Sequence, residues 1–305
     1  MAKTKRGRSK PKTDHAQAAV DAVIAALETG VPPWRCSWAT NVGLPKRSTG
    51  EAYRGINVFV LLARAVREGW GNPYWFTYRQ AEALDAQVRK GSKATPVYYY
   101  GTVQTDDGED EDDPRARRFM RTFHVFNAAQ IDGLPDRYDV VPPIRPDLEY
   151  GSDAVPDTVE PYFAAIPAQV VHGGSLPCYQ PSTDVITMPP IETFAKRSLY
   201  WSTLAHEVAH WTGGKTRLAR TFGTDRAAYA YEELIAELTS VMVGTQLGLP
   251  ADHMEDHAGY LEHWIDAMRA DRTILFKAAA HAQTAFDLMN SYQEGADAEP
   301  LPMAA

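Results

Sequence analysis

The chain of 305 residues contains only two cysteines, Cys36 and Cys178, far apart in sequence. No disulfide framework is indicated, and a cytoplasmic protein is the simplest expectation. It also lacks any apolar run near the roughly 18–20 residues that a membrane helix needs. The longest candidate near the start, Ala18 to Leu27, is interrupted by Asp21. The basic N-terminus is thus followed by no hydrophobic region, and it is not read as a signal peptide. No internal repeat is visible, which argues against a solenoid. What is present is an apolar fraction of 44%, enough to bury a sizeable core.

Net charge is −8, but its distribution is uneven. Residues 1–100 carry +9, residues 101–149 carry −6 and residues 150–305 carry −11. A basic first third joined to an acidic remainder suggests two modules with different partners. Six of those cations, Lys3, Lys5, Arg6, Arg8, Lys10 and Lys12, belong to a tail at 1–14 that is expected to be disordered.

Hydrophobic periodicity predicts helices over 15–29, Ile56–Glu68, Tyr78–Lys90 and Pro161–Ile166. Further helices are expected over Ile191–Thr212, Ala227–Leu247, Tyr260–Ala270 and Asp271–Asn290, with Asp271 as the last N-cap. Strands are expected at Ala94–Val103, Arg121–Asn127 and Asp184–Met188. The acidic run Asp106 to Asp113 reads as a solvated hairpin loop between the first two. Residues 139–160, rich in Pro, Asp and Gly, read as a linker. Gly213-Gly214 reads as the C-cap of the 191–212 helix.

That helix contains His206-Glu207-Val208-Ala209-His210. Spacing of i and i+4 places both imidazoles on one helical face, about one turn apart, where they can reach one ion. Glu207 sits beside them, placed to accept a proton from a metal-bound water. Trp201, Leu204, Ala205 and Val208 supply an apolar stripe for packing. A catalytic zinc needs a third protein ligand, and Glu232-Glu233-Leu234-Ile235-Ala236-Glu237 offers acids at i and i+4. Glu233 is assigned as the third ligand. Glu237 is assigned to hold a ligand histidine's other ring nitrogen, with the reverse pairing left open and Glu232 placed off that face. The strand at 184–188 is expected to form the rim of the cleft and to pair with an extended substrate. A second pair, His253 and His257, has no glutamate after its first histidine and reads as a solvated helix face.

In the first half, aromatics are interleaved with cations at Trp34-Arg35, Tyr53-Arg54, Trp75-Phe76-Thr77-Tyr78-Arg79 and Lys90-Gly91-Ser92-Lys93. Rings that stack on bases and cations that track phosphates suit single-stranded nucleic acid, although aromatics also build cores.

Taken in order, several stretches resemble the ArdC-type antirestriction proteins of conjugative plasmids and phages. They are Pro33-Trp34, Tyr53-Arg54-Gly55-Ile56-Asn57, Trp75-Phe76-Thr77-Tyr78, Lys90-Gly91-Ser92-Lys93 and Val125-Phe126-Asn127-Ala128-Ala129-Gln130. They continue through Asp184 to Pro189, His206 to Gly213, Tyr231 to Glu237 and Ala278 to Gln283. The acidic run at 106–113 departs from that pattern. The resemblance implies an α+β protein of two domains. An N-terminal α/β domain that binds single-stranded DNA would span 15–140, followed by a linker at 141–160. A mostly helical, zincin-like metallopeptidase domain with a small sheet would span 161–292, and a disordered tail 293–305. It implies one Zn2+ per chain (or another divalent metal) on His206, His210 and Glu233, with Glu207 catalytic. DNA-binding candidates, from these stretches and the aromatic-cation pairs above, are Trp34, Arg35, Tyr53, Arg54, Asn57, Trp75, Lys90, Lys93, Asn127 and Gln130. The implied role is protection of incoming mobile-element DNA. An alternative is a metalloprotease that cleaves a host protein and uses DNA only for localisation.

Overall fold

In a computed structural model, residues 43–104, 116–140, 155–223, 225–249, 258–271 and 273–293 are described, with most of 20–28. Trp34, Arg35, Cys36, the acidic run, most of the expected linker and the His253/His257 pair lie outside them.

The first half forms a four-stranded sheet in the order β1 (Lys46–Arg47), β2 (Tyr74–Thr77), β5 (Ala116–Asn127), β4 (Thr95–Gln104). Helix α1 (Ile56–Glu68) packs against β4 and buries Ile56, Val58, Phe59, Leu61, Leu62 and Ala65. Its expected bounds are met. Asn57 on α1 accepts from the N–H of Tyr98 at 2.7 Å and donates to the same residue's carbonyl at 2.8 Å. One side-chain amide therefore satisfies backbone groups of β4 that an edge strand would otherwise leave to water.

The helix expected over 78–90 stops early. Helix α2 spans only Tyr78–Glu82, started by a reciprocal capping box between Thr77 and Gln80. The chain then turns through Asp85, at φ 55°, into β3 (Gln87–Val88), which pairs with β6 (Ile131–Asp132). Phe76, Ala81, Ala86, Val88, Ala128, Ile131 and Tyr138 form a small core there.

In the second half, α3 (Val159–Ala164) leads to a three-stranded sheet in the order β7 (Gln169–His172), β9 (Val185–Met188), β8 (Cys178–Gln180). The expected helix over 191–212 is divided. A single 3-10 turn at 191–193 precedes α4 (Arg197–Thr212), which begins after Lys196 in extended conformation. Helices α5 (Arg226–Leu247), α6 (Ala258–Ala270) and α7 (Ile274–Ser291) complete the bundle. Thr273, not Asp271, holds the N-cap position of α7, while the Asp271 carboxylate accepts from the Thr273 N–H at 2.9 Å. No described helix is long and apolar enough to cross a membrane.

The halves share one hydrophobic core. Leu61, Leu62, Trp75 and Val97 from the first belong to the same buried cluster as Leu234, Leu238, Met242 and Ala282 from the second. Phe276 of α7 meets Tyr98 edge-on at 5.5 Å. Gln283 accepts the Gly55 N–H at 2.9 Å, and Arg54 pairs with Asp287.

Candidate metal centre and its surroundings

Helix α4 is buried nearly all round, not amphipathic, with thirteen of its sixteen residues inaccessible. Its environment must therefore satisfy the polar side chains it carries. His206 is 1% exposed and His210 9%. Their Nε2 atoms lie 3.1 Å apart. Helix α5 packs against α4 and brings Glu233 between them, 3.4 Å from each Nε2. The donor atoms of these three residues all lie within 4.8 Å of one another, a set able to hold one divalent ion. Glu207 is also buried, 5% exposed, next to the first histidine.

The other ring nitrogen of His210 belongs to Glu232, the acid that spacing placed off that face: Nδ1 donates to Glu232 Oε1 at 3.3 Å. Adjacent carboxylates can both reach one imidazole because its two nitrogens point in different directions. Glu237 is fully buried one turn further along α5. Glu232 is in turn gripped by Arg220, whose Nη2 donates to Oε1 at 2.7 Å and Nε to Oε2 at 3.0 Å. The same guanidinium donates to Thr212 Oγ1 at 2.9 Å and to the Ala209 carbonyl at 2.7 Å. A buried charge pair of this kind is tolerable only when its remaining donors are satisfied, as they are here.

Arg220 also explains Gly213. The residue is not in the left-handed conformation of a usual C-cap glycine but at φ −75°. A Cβ there would lie 2.9 Å from Arg220 Nη2 and 2.8 Å from the Phe222 ring. A side chain here would push the Phe222 ring and the Arg220 guanidinium out of place, so this glycine serves the close approach and not the turn. Sequence reading missed both Arg220 and Glu232 as partners of the site. Arg220 sits in an irregular loop with no spacing to mark it.

Burial pulls the His210 imidazole down, but hydrogen bonds to Glu232 and Glu233 and the charges of Glu233 and Glu207 outweigh it and hold the ring up to about 10. Burial would likewise raise the Glu233 carboxyl, yet the two histidines hold it far below the usual carboxylate range. A metal ion bound by these residues would have to displace a proton from His210, so its affinity should rise with pH. Replacing Arg220 with Ala should weaken metal binding by roughly 10–100-fold, the usual cost of losing a partner that orients a ligand. Competition with a chelator measures this, and unchanged affinity would show that Arg220 serves packing alone.

Strand β9 is the central strand of its sheet, paired in parallel with β7 and antiparallel with β8. Both its edges are occupied, so it cannot pair with an extended substrate as expected. A cluster ties this sheet to the loop after α4. Arg217 lies over the Trp211 ring at 3.9 Å and pairs with Asp184, which also accepts from Tyr179 Oη at 2.8 Å.

The proposed DNA-contact residues are placed very differently from one another. Trp75 is 1% exposed and Tyr53 9%, both in the shared core. Asn127 and Gln130 form a buried reciprocal capping box, and Asn57 is spent on β4. These five build the scaffold, because their polar groups are engaged internally or their rings are covered. Lys90, Lys93 and Arg54 are exposed, the last paired with Asp287.

Comparison with known proteins agrees with this geometry. Residues 13–126 match the N-terminal domain of the anti-restriction factor ArdC, and residues 157–281 match a zincin-like metallopeptidase domain. Protein y4eC of Sinorhizobium fredii is 36% identical, with 96% of this chain and 97% of that one aligned. DNA primase TraC of Escherichia coli is 35% identical over 93% of this chain, which spans only 20% of the primase. The crystal structure of the antirestriction ArdC protein from plasmid R388, without metal, superposes with a TM-score of 0.78 at 42% identity, covering 92% of this chain and 98% of that one. A Mn(II)-bound structure of the same R388 protein superposes with a TM-score of 0.76 at 40% identity, over the same shares of both chains. The two-domain α+β architecture is thus common to both, and this chain belongs to the ArdC antirestriction protein family.

Proposed function

We propose that this protein binds single-stranded DNA and shields incoming mobile-element DNA from restriction, and that its second half is a single-zinc peptidase. The convergence of His206, His210 and Glu233 beside a buried Glu207 carries the enzymatic part. A zinc ion held by those three residues would supply an acidified water and a polarised carbonyl. Glu207 accepts the proton of the attacking water and returns it to the leaving amine. Glu232 and Arg220 fix the His210 ring so that Nε2 faces Glu233. The DNA-binding part rests on family membership and on the exposed aromatics and cations of the first half.

Glu207→Gln separates shielding from proteolysis, because it removes a proton acceptor without touching the first half. Single-stranded DNA binding and protection of transferred DNA should both persist in that variant. Retained binding with lost protection would overturn shielding in favour of cleavage of a host protein.

A further inference from the structure

Strands β4 and β5 form a ribbon of 10 and 12 residues, but β2 pairs with β5 only at Val125, Phe126 and Asn127. Beyond Val125 the ribbon continues as two strands. Its register sets Tyr99 opposite Arg121, Gly101 opposite Phe119 and Val97 opposite Phe123. Residues directly opposite, and residues two apart, share a face, so Tyr99, Phe119, Arg121 and Phe123 form one surface. Tyr99 is 55% exposed and Phe123 47%. The Tyr99 and Phe119 ring centroids are 6.2 Å apart, and the Arg121 guanidinium lies 5.0 Å from the Phe119 centroid. Gly101 makes the arrangement possible: a Cβ there would come within 2.5 Å of the Phe119 ring and 3.1 Å of the Tyr99 ring. On the opposite face Tyr98 and Tyr100 pack edge-on against Phe276, which anchors the ribbon to α7.

Charge favours an anionic occupant. The two strands contain Arg117, Arg118 and Arg121 and no aspartate or glutamate, in a chain of net charge −8. Lys90 and Lys93 are exposed in the turn just before β4. Rings set among cations suit unpaired bases joined by phosphates, whereas bases stacked inside a duplex offer no face to a ring. The segment joining the strands holds seven acids between Asp106 and Asp113, a charge that disfavours phosphates beside it. We propose that single-stranded DNA stacks its bases on Tyr99, Phe119 and Phe123 of this ribbon face, with Arg121 on the phosphates. This deepens, and rests on, the reading of the protein as a single-stranded DNA binder.

The test uses the full chain and a fluorescent oligothymidylate of roughly 16 nucleotides, with affinity followed by anisotropy at several salt concentrations. Tyr99→Ala with Phe123→Ala should weaken binding by about 10-fold or more per lost ring. Tyr99→Trp, which keeps a stacking surface, should bind near the wild-type level. Arg121→Glu should weaken binding and lower the salt slope by about one. Unchanged metal content in each variant reports an intact fold. Wild-type affinity in the double alanine variant and in Arg121→Glu would overturn the assignment of this face while leaving DNA binding in place. Failure of the wild-type protein to bind at low salt would instead overturn the reading beneath it.

Discussion

Neither half of the chain, expressed without the other, should unfold as a cooperative unit. A fragment of 15–140 would expose the sides of Ile56, Leu61, Leu62, Val97 and Tyr98 that face the second half's share of the core. It would also lose the Gln283 acceptor of Gly55 and the Arg54–Asp287 pair. Full exposure of a large apolar side chain costs about 1.5–3 kcal/mol. Even partial exposure of several such residues is comparable with the roughly 5–15 kcal/mol that holds a typical domain folded. The complementary fragment would uncover α7 along Phe276, Ala279 and Gln283, next to the α5–α7 packing that supports the candidate metal ligand Glu233. The full chain should therefore melt in one transition by circular dichroism. A sigmoidal transition for the isolated 15–140 fragment, near the midpoint of the full protein, would show that the shared core is not needed.

How far the sequence revealed this arrangement depended on whether the determining contact was local. The His206/His210 pairing follows from helical geometry within one turn, and it was legible. So was Glu233 as a candidate, because acids at i and i+4 share a face of the long helix α5. Which neighbouring acid meets the far nitrogen of His210 depends on how α5 docks on α4. Spacing within α5 offered Glu237 to one ligand histidine or the other, and at His210 the docked helices present Glu232. The start of α2 at Tyr78 was legible from periodicity, but its end was not, since Asp85 adopts a positive φ with no glycine or proline to mark it. Strands β7 and β8 are short and carry mostly half-buried or exposed residues, so their alternation is weak.

The aromatics of the first half show the same limit. Trp75 reads from sequence as a nucleic-acid contact and is sealed in the core, whereas Tyr99, which the sequence does not single out, is more than half exposed. In Val97-Tyr98-Tyr99-Tyr100 rings fall on both faces of the strand, so alternation could not say which face meets solvent. Phe276, which is 178 residues from Tyr98 in sequence, covers Tyr98 and touches the edge of Tyr100, which stays 54% exposed.

Metal content measured together with peptide hydrolysis tests the central claim most directly. Wild-type protein loaded with zinc and dialysed should retain about one ion per chain, as three protein ligands at one site imply. His210→Ala and Glu233→Ala should retain almost none, because each removes a donor and leaves its buried partners uncompensated. Glu207→Gln should keep the ion and lose hydrolysis of a casein substrate by roughly 10²–10⁴-fold, the usual contribution of a positioned general base. Elemental analysis of the dialysed proteins settles the assignment. An ion lost from Glu207→Gln and kept in Glu233→Ala would contradict it.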